Sequence, residues 1–179
     1  MQHQVPQPSP ERMTPFRGGA IVAAVRPGAD PLVALTAADL ARVSGGTIYF
    51  AYVDEQRYVE REFADGSVQH NDISPDAADE SWRRREAQIR DEQHSLLADA
   101  RVPWEFRYLA GRPDRALTHL ARAVDAAVIV VGNRAPGRNA KVREFLDGTL
   151  ALKLAQHQHR PVLAVPLTVV DWKAPMPWG

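Results

Sequence analysis

The sequence contains no cysteine. This absence excludes disulfide frameworks, thiolate zinc sites, iron–sulfur clusters and cysteine nucleophiles. Histidine does not replace it as a ligand, because His157 and His159 are two residues apart and cannot share one face of a helix. No nearby pair of carboxylates adds to them, so we predict no metal site built from protein ligands.

Three motifs of nucleotide and acyl chemistry are also missing. The chain has no Gly-x-x-x-x-Gly-Lys-Ser/Thr loop and no Gly-x-Gly-x-x-Gly turn after its first predicted strand. It has no Gly-x-Ser-x-Gly elbow that would present a nucleophilic serine. These absences disfavour P-loop NTPases, dinucleotide dehydrogenases and serine hydrolases, and we predict no catalytic residue.

The sequence lacks an excess of charge of one sign and a long apolar run. Lys and Arg number 22, and Asp and Glu also number 22, so no surface field is expected that would attract nucleic acid or a membrane. No apolar run approaches the roughly 18 residues that cross a bilayer. We therefore expect neither nucleic acid nor a membrane as a partner.

The two ends of the chain differ in composition from the rest. Residues 1–17 are polar, carry four prolines and lack the apolar core of a signal peptide, which predicts a disordered arm. Residues 168–179 contain proline and tryptophan and are interpreted as a C-terminal tail. Residues 18–167 then form one domain, for which we expect a cytoplasmic location.

Between these ends, short buried strands alternate with helices. Apolar runs rich in β-branched residues predict the strands Ile21–Val25, Thr47–Val53, Trp104–Leu109, Ala127–Val131 and Pro161–Val165. Because strand and helix alternate and crossovers are right-handed, we predict an α/β fold, a three-layer α/β/α sandwich around a parallel sheet.

The helices carry recognisable start and stop signals. Asp30 is predicted to cap the first helix, with Pro31 at its first position and Gly45 just after its end. The predicted buried face of this helix consists of Val33, Ala37, Leu40 and Val43. Further helices are predicted from Ser74 to about Ala100, from about Pro113 to Val124, and over Thr149–His157.

An irregular segment follows the second predicted strand. Tyr58–Phe63 and Ser67–His70 alternate in polarity on either side of Asp65-Gly66, which is typical of a β-hairpin. We therefore predict a small hairpin insertion at this point. Because it adds a strand edge, the hairpin is a candidate surface for contact with a partner.

The fourth strand leads into a loop that contains glycine and arginine. Val128–Val131 is followed by Gly132-Asn133-Arg134-Ala135-Pro136-Gly137, and Gly148-Thr149 then opens the last helix. Backbone N–H groups and the positive end of a helix dipole converge in such a loop and form a cradle for anions. An ordinary strand–helix turn, whose glycines satisfy only local geometry, explains the same residues equally well.

The chain resembles the universal stress protein family over about Gly19 to Leu167. The resemblance is carried by Ile21–Gly28, Gly111-Arg112-Pro113, Val130–Arg134, Phe145–Thr149 and Arg160–Val165. It implies a Rossmann-like, five-stranded sheet of order 3-2-1-4-5 and cytoplasmic homodimers that often pair through the last strand. It also implies a role in stress or signalling, and many members bind ATP or another adenine nucleotide.

The nucleotide-binding members share a pattern of Gly-x-x-Gly, nine residues and Gly-Ser/Thr. Gly132 matches the first glycine, and Gly148 and Thr149 match the closing pair. Ala135 stands where the second glycine is expected, and Gly137 follows two residues later. The segment is therefore about three residues longer than the pattern.

These members also place an acidic residue just after the first strand, where this chain has Arg26. Arginine has only donors and cannot accept the hydrogen bonds that a carboxylate accepts. Arg26 either adds positive charge to the mouth of the crevice, as Arg134 does, or forms an ion pair such as one with Asp30.

If the first and fourth strands flank the reversal of strand order, their two turns meet in one crevice. The anion contacts expected there come from the backbone of Gly132, Asn133, Gly137, Gly148 and Thr149, with the Thr149 hydroxyl as an added donor. Val53 and Val131 are expected to wall the base pocket. The turn Arg26-Pro27-Gly28 and Arg134 complete the candidate site.

We expect a non-enzymatic, homodimeric stress or signalling protein whose crevice accepts an adenine nucleotide or another anion. The last predicted strand, Pro161–Val165, and the C-terminal tail are the expected dimer contacts. The alternative is an interaction protein without nucleotide that acts through its dimer surface and tails, which Arg26 and the lengthened loop favour. A weak ATPase is the third reading, and no positioned base or metal carboxylate supports it.

Overall fold

The computed structural model describes residues 6–73, 81–134, 149–169, 171 and 173. Its strands are β1 (Ala20–Ala24), β2 (Ile48–Asp54), β3 (Arg57–Glu62), β4 (Val68–Asp72), β5 (Trp104–Ala110), β6 (Ala126–Asn133) and β7 (Val162–Pro166). Its α-helices are α1 (Leu32–Ser44), α2 (Ser81–Leu96), α3 (Pro113–Ala123) and α4 (Leu150–His157).

The main sheet is parallel and has the order β5-β2-β1-β6-β7. With the hairpin strands β3 and β4 left out, this is the order 3-2-1-4-5, so the predicted α/β sandwich is confirmed. The order reverses at β1, because the chain adds strands on one side of β1 first and then on the other. The turns that follow β1 and β6 therefore open toward each other at the carboxyl edge of the sheet.

Two apolar cores lie on opposite faces of the sheet. Because successive side chains of a strand point to opposite faces, Ile21 and Ala23 of β1 belong to the core beneath α1 and α2, whereas Val22 belongs to the core beneath α3 and α4. In β6, Val130 and Val131 divide between the two cores in the same way. This double burial explains why the central strands read as continuous apolar runs.

Helix α1 differs from its prediction at two points. Pro31 is the N-cap residue rather than the first helical residue, and the Asp30 carboxylate accepts a hydrogen bond from the Leu32 N–H (3.0 Å). The prediction that Val43 is buried was wrong, since Val43 is 81% exposed. Val43 lies about 200° around the helix from the buried Ala41 and so faces solvent.

The predicted hairpin is present as the antiparallel pair β3–β4. It packs beside β5 and α3: the Asp65 carbonyl accepts from Arg107, and Glu62 lies 3.1 Å from the Nδ1 of His119. Gly66 is required at the turn, since its φ is +81° and a Cβ there would lie 2.5 Å from the Leu120 Cδ1. The hairpin thus covers part of the outer edge of β5.

Part of the N-terminal segment also differs from the expected disorder. Pro10–Arg12 form a 3-10 turn, Thr14 donates a hydrogen bond to the Asp125 carboxylate (2.9 Å), and the Gly18 N–H donates to the Ser44 carbonyl (2.7 Å). The predicted start of the second helix at Ser74 lies outside the described residues. No helix in the described ranges is long and apolar enough to span a bilayer.

Candidate ligand-binding crevice

A crevice opens at the carboxyl edge of the sheet between the turns that follow β1 and β6. Its volume is about 1770 Å³, and α2 closes one of its sides. Ligand pockets for small molecules commonly occupy about 300–1000 Å³, so the crevice is large enough for a mononucleotide. It lies at the reversal of strand order, where open α/β sheets bind their ligands.

Every predicted site residue that the structure describes lines this crevice. The set is Arg26, Pro27, Gly28, Val53, Val131, Gly132, Asn133, Arg134 and Thr149. Gly137 and Gly148, the other two predicted residues, lie outside the described part of the chain. The two turns that sequence analysis expects to meet are therefore neighbours.

The end of β6 supplies a further wall of the crevice. Val131 is fully buried beneath this wall, and Gly132 and Asn133 are half-buried. A Cβ on Gly132 would lie 2.7 Å from the Leu167 Cδ1 and 3.3 Å from the Val33 Cγ2. A side chain at this position would therefore require Leu167 to shift, and the Leu167 N–H also donates to the Asn133 carbonyl (2.8 Å).

Thr149 occupies the N-cap of α4 at the mouth of the crevice. Its backbone is extended, and its Oγ1 accepts a hydrogen bond from the Leu152 N–H (3.3 Å). A hydroxyl that accepts through its oxygen keeps its own O–H as a donor. The first N–H groups of α4 have no partner within the helix, so this corner attracts anions.

The turn after β1 already holds a carboxylate. Gly28 has a φ of +61°, a conformation that favours glycine. Its N–H lies 3.2 Å from Oε1 and 3.1 Å from Oε2 of Glu92 in α2. The sequence alone does not reveal Glu92 as a site residue, because only the docking of α2 on the sheet brings a residue of that charged helix to this turn.

Two exposed arginines stand at the mouth of the crevice, Arg26 after β1 and Arg134 after β6. Among the described residues, neither has a carboxylate within ion-pair distance. Asp30, the expected partner of Arg26, instead accepts from the Leu32 N–H. Both guanidinium groups therefore keep donors for a bound anion.

A hydrogen-bonded cluster that the sequence alone does not reveal stands at the end of β2. Asp54 Oδ2 accepts from Arg85 Nη1 (2.8 Å) and from the Tyr108 hydroxyl (2.7 Å). Burial, followed by the bond to Asp54, raises the pKa of Tyr108 well above its usual range. The position of Asp54 at the carboxyl end of a strand was the one available signal.

The carboxylate of this cluster is largely engaged within the protein. The Asp54 carboxylate accepts from Arg85, from Tyr108 and from the Gln56 N–H (3.0 Å), so its acceptor positions are largely occupied. Among the described residues, no group of three histidine, aspartate or glutamate side chains is arranged to hold a metal ion. What the crevice offers is backbone N–H groups, arginine donors and the carboxylate of Glu92.

Comparison with known proteins identifies the family. The model of the universal stress protein family matches residues 19–166. Comparison with curated protein sequences gives no match.

Solved structures of low sequence identity share the fold. A universal stress protein in complex with cAMP is 20% identical, with a TM-score of 0.56 over 85% of this chain and 99% of the other. The Archaeoglobus fulgidus universal stress protein in complex with dAMP is 17% identical, with a TM-score of 0.56 over 82% and 96%. UspA from Lactobacillus plantarum is 16% identical, with a TM-score of 0.55 over 83% and 98%. With a family match over nearly the whole α/β domain, this chain belongs to the universal stress protein family.

Proposed function

We propose that the protein is a non-enzymatic, cytoplasmic stress or signalling protein that binds an adenine nucleotide in the crevice between β1 and β6. The single observation that carries this proposal is the convergence of the described candidate residues on one crevice. Related folds hold cAMP and dAMP, which supports an adenine nucleotide as the ligand. Phosphate would lie near Gly132, Arg134 and Thr149, where donors and the α4 terminus are found.

Charge reversal at Arg134 tests the phosphate position. Arg134→Glu places a carboxylate beside the proposed phosphate site, and we expect ATP affinity to fall about tenfold or more, since charge-assisted bonds are worth roughly 1.5–3 kcal/mol. Isothermal titration calorimetry with ATP, AMP and cyclic AMP measures the change. The matched control is Arg61→Glu on the hairpin, an exposed arginine that does not line the crevice.

Equal ATP affinity in the Arg134→Glu and Arg61→Glu variants would contradict the placement of the phosphate. Time-dependent release of inorganic phosphate from ATP by the wild-type protein would contradict the non-enzymatic part of the proposal. For the wild-type protein we expect a measurable heat of ATP binding and no release of inorganic phosphate over time.

A second candidate function is an interaction protein that binds no nucleotide. The contact between Glu92 and the Gly28 N–H favours it, because an acidic side chain already occupies a donor of the turn after β1. This function predicts no heat with any of the three nucleotides. The calorimetric experiment therefore separates the two candidates.

A further inference from the structure

Helix α2 contributes an acceptor with spare capacity to the β1 side of the crevice. The Glu92 carboxylate shares the Gly28 N–H between its two oxygens, and its Oε1 also accepts from the Gln88 Nε2 (2.8 Å). An ionised carboxylate has about four acceptor positions. Oε2 therefore keeps room for a further donor, and Glu92 lines the crevice.

The next residue of α2 contributes a second acceptor. Gln93 also lines the crevice, is 5% exposed, and has a buried Oε1 without a hydrogen-bond partner in the described part of the chain. A buried polar atom without a partner is costly, and native proteins satisfy nearly all of them with protein, water or ligand. Gln93 therefore brings one unsatisfied acceptor to the α2 side of the crevice.

The two sides of the crevice differ in the ligand group that they favour. On the α2 side, Glu92 attracts hydroxyl and amino donors, although Arg26, Arg84 and Arg85 also line the crevice and offset part of its negative charge. On the β6 side, Arg134 and the N-terminus of α4 attract phosphate. A ligand with donors at one end and phosphate at the other matches this arrangement.

We propose that Glu92 and Gln93 recognise the nucleoside part of the ligand and direct its phosphate toward β6 and α4. The nucleoside supplies ribose hydroxyls or an exocyclic amine as donors to the two acceptors. This assignment rests on the nucleotide binding proposed above. In this assignment, α2 determines which ligand binds. The helix supplies a carboxylate that the nucleotide-binding relatives place after the first strand, where this chain has Arg26.

Two variants and three probes test the proposal. Glu92→Gln removes the charge, Gln93→Met removes the unpaired acceptor at nearly constant volume, and Asp99→Asn, an exposed residue outside the crevice, is the charge control. Adenosine, ATP and inorganic tripolyphosphate are titrated into each protein by calorimetry. Adenosine separates nucleoside recognition from phosphate binding, which tripolyphosphate reports alone.

We expect Glu92→Gln to weaken adenosine and ATP about tenfold while tripolyphosphate binds as well as before or tighter. Gln93→Met is expected to weaken adenosine without lowering the melting temperature, because it removes a buried oxygen that has no hydrogen-bond partner in the described part of the chain. A merely structural role for Gln93 would not lower adenosine affinity while stability is kept.

Unchanged adenosine affinity in either variant overturns the assignment for that residue. Tighter ATP binding in Glu92→Gln with unchanged adenosine affinity shows that Glu92 only competes with phosphate, and a wild-type protein that binds ATP but not adenosine also overturns the proposal. If the wild-type protein binds none of the three probes, the proposed function itself fails. Failure of the function is therefore visible in the wild type, and failure of the inference only in the variants.

Discussion

At the scale of single residues, Asp54 determines how the crevice wall is held together. It is 4% exposed, and its carboxylate accepts hydrogen bonds from a strand residue, a helix residue and its own turn. Arg85 comes from α2 and Tyr108 from β5, and their atoms also lie 3.0 Å from each other. One buried carboxylate thereby joins the sheet to the helix that carries Glu92 and Gln93.

Removing the Tyr108 hydroxyl tests this cluster. Tyr108→Phe leaves the buried carboxylate of Asp54 with one donor fewer, and we expect the free energy of unfolding to fall by about 1.5–3 kcal/mol, the value of a hydrogen bond to a charged group. Urea denaturation measures the change. Tyr58→Phe, at a 48% exposed position, is the control, and equal losses in both variants would contradict the role of the cluster.

At the scale of elements, a polar and aromatic contact joins the hairpin to α2. Arg57 of β3 is 6% exposed, and its Nε donates to the Nδ1 of His70 in β4 (2.7 Å). The His70 ring packs edge-on against Trp82 of α2, with centroids 4.8 Å apart. A protonated Nδ1 cannot accept from Arg57, so the contact requires neutral His70.

This requirement makes the stability of the protein depend on pH. Burial, followed by the charge of Arg57, lowers the pKa of His70 below its usual 6.5, although Asp54, Glu86 and Asp72 act in the opposite direction. The unfolded chain then binds more protons below pH 6.5 than the folded one. The stabilisation is complete above about pH 6.5 and is lost as the pH falls toward the folded pKa.

We therefore expect the melting temperature of the wild type to fall more between pH 7 and pH 5 than that of His70→Gln. The glutamine amide oxygen accepts from Arg57 at either pH, so this variant isolates His70 from His159, whose pKa burial and Arg160 also lower. Thermal melts at both pH values measure the difference. Parallel pH profiles of the two proteins would count against the mechanism.

At the scale of the whole molecule, the two edges of the main sheet differ. The hairpin packs along β5, whereas β7 at the opposite edge exposes Leu163 by 39%. The carbonyl of Pro161 and the N–H of Leu167 bond toward β6. Because bonding direction alternates along a strand, the N–H of Ala164 points outward. An edge strand that has no further pairing strand within the described residues can pair with a second copy of the chain.

We expect the protein to form a homodimer through β7, and Ala164→Pro tests the pairing. Proline removes the outward N–H of an edge strand without a loss of bonds to β6, so the variant is expected to remain folded and become monomeric. Sedimentation equilibrium measures the mass. Tyr58→Ser on the hairpin is the matched variant for the other candidate surface, and a monomer from that change alone would place the interface at β3–β4.

Much of the architecture was predictable, because local signals and tertiary structure agree there. Burial on both faces makes β1 and β6 continuous apolar runs, and Asp65-Gly66 marks the hairpin turn through the positive φ of the glycine. The prediction for Val43 was wrong because the buried face of α1 is formed mainly by alanines. The spacing of the larger apolar residues does not show which face that is. Composition predicts disorder for the proline-rich arm, because it contains no information on tertiary hydrogen bonds such as the one between Thr14 and Asp125.

The sequence by itself determined the family, the alternation of strand and helix, and the two turns that meet at the crevice, because these depend on residue type and local spacing. Only the tertiary structure decided that Glu92 and Gln93 border the same crevice, that Leu167 fills the space beside Gly132, and that Asp54 joins β2 to α2. For Glu92, Gln93 and Asp54, the physical reason is the docking of α2. Its mostly charged surface is held by a few contacts with the sheet, and contacts between residues distant in the chain leave no local pattern in the sequence.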